Sequence, residues 1–138
     1  MRRLLLAVLT TIVATQASAQ TITCTANHTA MMQAELLFGR NIDGRHGVTE
    51  KAWARFLAEE ITPRFPDGLT VYDAAGQYRE NPAAKIVRER SKIVMILVEG
   101  GDPAMQRIDQ IVGAYKKRFR QKSVGVVIKP ACVSFHAS

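Results

Sequence analysis

Residues 91–100 read SKIVMILVEG. Every position from Ile93 to Val98 is apolar, and Val and Ile dominate. An extended chain puts successive side chains on opposite faces, so both faces are apolar here. That predicts a central strand buried on both sides. The preceding residues, KIVRER (85–90), are charged and read as the same strand running on beyond the body of the sheet.

The neighbouring segments follow from this strand. After it, GDPAMQRIDQIVGAYKKRFRQ (101–121) reads as a helix capped by Asp102, with Pro103 in its first turn. Met105, Ile108, Ile111, Val112, Tyr115 and Phe119 form its apolar stripe. Lys116, Lys117, Arg118 and Arg120 crowd its end, where the helix dipole favours cations. SVGVVIKPACVSF (123–135) reads as a last strand, weakened near Pro130.

Before the central strand, NPAA (81–84) is a turn. LTVYDAAGQYRE (69–80) is a strand whose Gly76 suggests a bulge. VTEKAWARFLAEEIT (48–62) is a helix with Thr49 as N-cap, Val48 and Trp53 as a hydrophobic staple, and Pro63 as its stop. NIDGRHG (41–47) has two glycines and no periodicity, so it reads as a loop. MMQAELLFG (31–39) alternates and reads as the first strand.

The order is β-α-β-β-α-β. It predicts an α+β domain of the ferredoxin-like kind over residues 31–138, a four-stranded antiparallel sheet with both helices on one face. In that topology the start of the first strand lies beside the end of the last. Cys24 and Cys132 occupy those two places, which predicts a disulfide between them. Its loop, residues 24 through 132, would stabilise the fold by about 4–5 kcal/mol on the chain-entropy model.

The N-terminus sets the compartment. Arg2 and Arg3 precede an apolar run from Leu4 to about Thr15, and Ala17-Ser18-Ala19 follows. That is the order of a secretory signal peptide, with cleavage expected after Ala19 and a polar leader over residues 20–30. The apolar run is too short for a bilayer span of roughly 20 residues. Thr23 before Cys24 does not fit a lipid anchor. No later stretch is long and apolar enough to span a membrane, so the reading is a soluble periplasmic or secreted protein. The chain has 19 Lys+Arg and 12 Asp+Glu; without Arg2 and Arg3 it has 17 against 12. This mild excess would favour anionic surfaces or simply solvate the protein.

Catalytic and cofactor motifs are missing. The three histidines lack metal-ligand spacing, so no metal is expected. There is no nucleophile elbow, phosphate loop or dinucleotide fingerprint, and no cofactor is expected. The strands lack the aromatics that RNA-binding sheets stack on bases, and export also argues against nucleic acid.

The polar residues around the second and third strands are the candidate site. They are Arg40, Asp73, Gln77, Arg79, Arg88 and Arg90. If the turn is centred near 82–83, paired residues sum to about 165. Asp73 then opposes Lys92 and Gln77 opposes Arg88; a bulge at Gly76 would shift this by one. Two readings stand: cross-strand charge pairing on an exposed hairpin, or an anion-binding edge where arginines grip a carboxylate or phosphate. The helix-free sheet face, with Leu37 and the 93–98 run, calls for cover by a ligand or a second copy. A homodimer through that face would enclose a small-molecule pocket.

The segments AELLFGR (34–40), TPRFPDGLTVYDAAGQY (62–78) and RERSKIV (88–94), with the closing ACVSF (131–135), resemble a family of small exported bacterial proteins catalogued as a domain of unknown function. The resemblance spans about residues 31–135. It implies a bacterial envelope or secreted protein and carries no activity, cofactor or catalytic residue. The expectation is a non-enzymatic module that binds an anionic small ligand or an envelope component. The alternative is an enzyme with a dimeric α/β-barrel-like pocket.

Overall fold

The computed structural model describes residues 22–136; the expected signal peptide lies outside them. The chain forms β1 (Thr29–Gly39), β2 (Asn41–Ile42), β3 (Arg45–His46), α1 (Glu50–Phe56), β4 (Thr70–Tyr78), β5 (Val87–Val98), α2 (Asp102–Phe119) and β6 (Gly125–Val133). Four strands make one antiparallel sheet in the order β4-β5-β1-β6. The architecture is α+β, with two helices against this sheet.

Alternation along the strands positions the core. Ala34, Leu36 and Phe38 of β1 and Val94 and Ile96 of β5 point to the helices and are fully buried. They meet Trp53 and Phe56 of α1 and Ile108, Ile111, Tyr115 and Phe119 of α2. Aromatic rings fill the centre: Phe38 lies 4.7 Å from Tyr115 and 5.2 Å from Trp53, and Phe56 lies 5.0 Å from Tyr115, in tilted or edge arrangements.

The central strand is covered on one face only. Lys92, Val94 and Ile96 are buried, whereas Ile93, Met95 and Leu97 on the other face are half-buried. The expectation of burial on both sides is therefore corrected. Both helices pack on the same face, and among the described residues nothing covers the other.

Several local readings are also corrected. The 41–47 segment is a tight hairpin, with Asn41 opposite His46 and Ile42 opposite Arg45. Asp43 (φ 50°) and Gly44 (φ 76°) supply the two left-handed positions that its two-residue turn requires. Gly76 makes no bulge: it pairs with Glu89 in a register unbroken from Thr70↔Met95 to Tyr78↔Val87. Backbone pairing on both sides of the glycine holds it in line. The first helix does not stop cleanly at Pro63. It widens to a π turn at Leu57–Ile61 and tightens to a 3-10 turn at Thr62–Arg64. Pro63 has no N–H to continue the ladder and its ring crowds the carbonyl four residues back, so the turns on either side adjust. Gly101 (φ 112°), not Asp102, is the N-cap of α2, because the chain enters the helix from an angle suited to glycine.

Thr49 caps α1 as its position suggests, its hydroxyl accepting from the Ala52 N–H at 3.2 Å. Cys24 and Cys132 are bonded, with Cα atoms 5.5 Å apart. Pro130 sits on β6, an edge strand paired only with β1, where one ladder face needs no donor.

Candidate functional site

β5 pairs with β1 only from Ser91 to Val98. Beyond that, residues 87–90 of β5 pair with 75–78 of β4 alone, as a two-stranded arm. On the helix side of the sheet, Arg88, Arg90 and Lys92 alternate along β5. Gln77, Ala75 and Asp73 lie opposite them on β4. The register expected from the turn is the one observed.

Where arm and body meet, charges are organised around one carboxylate. Arg40, at the end of β1, is 2 % exposed. Its Nε and Nη2 donate to the Val48 carbonyl at 2.8 and 2.7 Å, and its Nη1 bonds Glu50 in the first turn of α1. The other Glu50 oxygen lies 3.0 Å from Lys92 Nζ, and Lys92 also bonds Asp73. The hydrogen bonds from Lys92 and then Arg40 hold the Glu50 carboxyl below the usual carboxylate range. Burial pulls the Lys92 ammonium down, but its bonds to Asp73 and Glu50 outweigh this and raise it above its ordinary value. Burial also raises the Tyr115 phenol, whose hydroxyl donates to the Gly39 carbonyl at 2.8 Å. That bond pins the strand end bearing Arg40.

Two adjoining open grooves, each about 500 Å³, lie over this network and the arm. Arg40, Glu50 and Asp73 line one; Asn41, Gly44, Arg88 and Glu89 line the other; Ala75 and Arg90 line both. Ala75 faces Arg90 across the ladder, so a small side chain keeps the floor low. The β2–β3 hairpin forms a wall. It is held by Asn41, whose amide donates to the Arg88 carbonyl at 3.2 Å and whose backbone N–H donates to Glu89 at 3.3 Å. Gln121 donates to the Asn41 carbonyl at 2.6 Å from the other side.

The expected residues divide into three sets. Arg40 and Asp73 come together through Glu50 and Lys92, as members of a satisfied ion network. Arg88 and Arg90 are exposed on the groove, and among the described residues neither side chain has a hydrogen bond or ion pair. Gln77 and Arg79 lie further out; Arg79 makes one long contact, 3.4 Å to the Pro82 carbonyl. Glu50 and Asn41 were not visible as site residues from sequence. Glu50 reads there as an ordinary first-turn acid. The Asp43-Gly44 pair was the available signal for the hairpin that positions Asn41.

The arrangement presents two guanidiniums without a direct ion pair, beside amide and backbone groups and the Glu89 carboxylate, an excess of positive charge suited to a compact oxyanion. Among the described residues no hydroxyl or thiol lines either groove. Among the described residues no three His, Cys, Asp or Glu side chains converge as metal ligands, and no helix is long and apolar enough to cross a membrane.

Comparison with known proteins locates the fold. A phage SAM lyase solved with S-methyl-5'-thioadenosine is similar at TM-score 0.57 and 16% identity, over 85% of this chain and 97% of that one. A phage SAM lyase in its apo state gives 0.55 and 14%, over 86% and 100%. A putative PII-like signaling protein from Thermus thermophilus gives 0.49 and 11%, over 78% and 93%. For the two SAM lyases, at these identities, the likeness is one of fold. No curated protein matches the chain. Residues 33–135 match the family described as "Protein of unknown function (DUF3574)", and the chain belongs to that family.

Proposed function

We propose that this protein is an exported, non-enzymatic module that binds a compact oxyanion, a phosphate or carboxylate group, in the groove between the β4–β5 arm and the β2–β3 hairpin. The observation that carries this reading is the contrast among the cations. Arg40 and Lys92 are buried and paired, whereas Arg88 and Arg90 face the groove without acidic partners. A guanidinium pair of this kind offers bidentate donors to a planar or tetrahedral anion. Thermal-shift assays of the purified protein with inorganic phosphate and with succinate test it. Stabilisation by either, lost in R88A/R90A, supports the reading; no shift with any small anion removes its basis.

The disulfide and the order of the N-terminal residues support export, with one ferredoxin-like domain following the leader. The strand order β4-β5-β1-β6 is the one expected when the two central strands of a βαββαβ unit are its first and third. Fractionation of cells carrying the full-length chain tests export: mature protein outside the cytoplasm, beginning near Gln20, is the expected result.

A second reading rests on the open sheet face. Leu37 and Tyr72 are 38 % and 47 % exposed there, beside half-buried Ile93, Met95 and Leu97. Two copies packed through this face would form a homodimer and enclose an apolar pocket, the setting for a small-molecule enzyme. Sedimentation equilibrium distinguishes the two readings: a monomer at micromolar concentration leaves no such pocket.

A further inference from the structure

Several exposed cations of this chain lie on the arm tip and at the end of α2. The arm ends in residues 79–86, with Arg79 and Lys85 exposed. The last turn of α2 carries Lys116 and Lys117, exposed, and Lys122 follows it. Two contacts bring these distant segments together. Lys122 Nζ lies 3.7 Å from Glu80 Oε1 on the arm, and Gln121 donates to the Asn41 carbonyl on the hairpin beside it. Two acids lie at this pole: Glu80, largely exposed and 3.7 Å from Lys122, and Glu89, which accepts from the Asn41 N–H. The arm also exposes two large apolar side chains, Tyr78 at 48 % and Ile86 at 38 %.

We propose that this pole, the arm tip together with the end of α2, docks on an anionic phospholipid surface. Tyr78 ends β4 and Ile86 lies in the connection from β4 to β5, so both exposed apolar groups are close to the arm tip. A headgroup layer accommodates both: the ring and the branched chain sit among the headgroups, while lysine and arginine stems lie along them and place their charges at the phosphates. Residues 87–90 of the arm pair with β4 and not with β1, and Lys122 ties the arm to the end of α2, so the two segments present their cations together. The inference is independent of the groove, because Lys85, Lys117 and Lys122 do not line it.

Co-sedimentation of the purified protein with vesicles tests this. One set contains equal phosphatidylglycerol and phosphatidylcholine, and a control set only phosphatidylcholine. The expected result is binding to the anionic vesicles alone, lost when salt shortens the Debye length to about 3 Å. K85E/K117E/K122E should weaken binding by about a hundredfold or more. Y78S/I86S, which keeps every charge, should weaken it severalfold. Equal binding to both vesicle types, no binding to either, or wild-type binding by the charge variant overturns the proposal. So does Y78S/I86S binding the vesicles as the wild type does, which would assign the pole to soluble polyanions. Phosphate-induced thermal stabilisation of K85E/K117E/K122E, measured in parallel, reports on the groove separately.

Discussion

Lys92 Nζ on β5 lies 3.0 Å from Glu50 Oε2 in the first turn of α1. The other oxygen of the same carboxylate bonds Arg40 at the end of β1. One acid thus joins two strands to a helix, and it does so from an exposed position while both cations are buried. The consequence for the groove is that Arg40 and Lys92 are already paired, while Arg88 and Arg90 have no direct ion pair and share the groove with one carboxylate, Glu89.

The two acids of this network should be unequal. Asp73 is 81 % exposed and contacts Lys92 alone, so D73N should change stability by no more than about 1 kcal/mol. E50Q leaves two buried cations without their shared counter-charge and should lower the urea midpoint more than D73N does. Urea denaturation of both variants measures this; an equal effect would mean that Glu50 does not bridge.

The pH dependence follows from the same groups. The Glu50 carboxyl is lowered from its ordinary value of 4.5, so its contribution is present above that pH and is lost as pH falls through the lowered value. The Lys92 ammonium is raised from 10.5, so its contribution is present below that pH and is lost as pH rises through the raised value. Stability should therefore plateau between these limits. Urea midpoints recorded from acid to alkaline pH should fall less steeply on the acid side for E50Q than for the wild type.

Much of the fold was legible because its signals are local and repeated. The apolar stripe of α2, the Thr49 cap and the register of β4 against β5 all follow from spacing, and the cysteines lie where the strand order brings them. The one-sided cover of β5 was not legible. Ile93, Met95 and Leu97 are as apolar as Val94 and Ile96, and only the placement of both helices on one face separates them. The site was half legible for a related reason. Residue type identifies Arg40 and Arg90 as alike, but tertiary contacts make one a buried pin and leave the other open to the groove.

The aromatic centre should dominate core stability. Phe38 is fully buried against Trp53, Phe56 and Tyr115, and F38A should cost about 3–5 kcal/mol. Y115F removes only the hydroxyl that donates to the Gly39 carbonyl and should cost about 1 kcal/mol. Chemical denaturation of the two variants separates packing from hydrogen bonding.

The disulfide links the leader to the last strand. C24S/C132S should be less stable by up to about 4–5 kcal/mol, and alkylation of the unreduced wild type should add no mass. Two alkylated thiols in protein purified from the oxidising compartment would contradict the pairing.

The oxyanion site itself is decided by isothermal titration of the purified protein with inorganic phosphate and, in a parallel arm, with succinate. Saturable binding of at least one of the two anions, abolished in R88A/R90A and retained in D73N, is the predicted result. Binding that survives R88A/R90A, or no binding of either anion by the wild type, would contradict an oxyanion site between the arm and the hairpin.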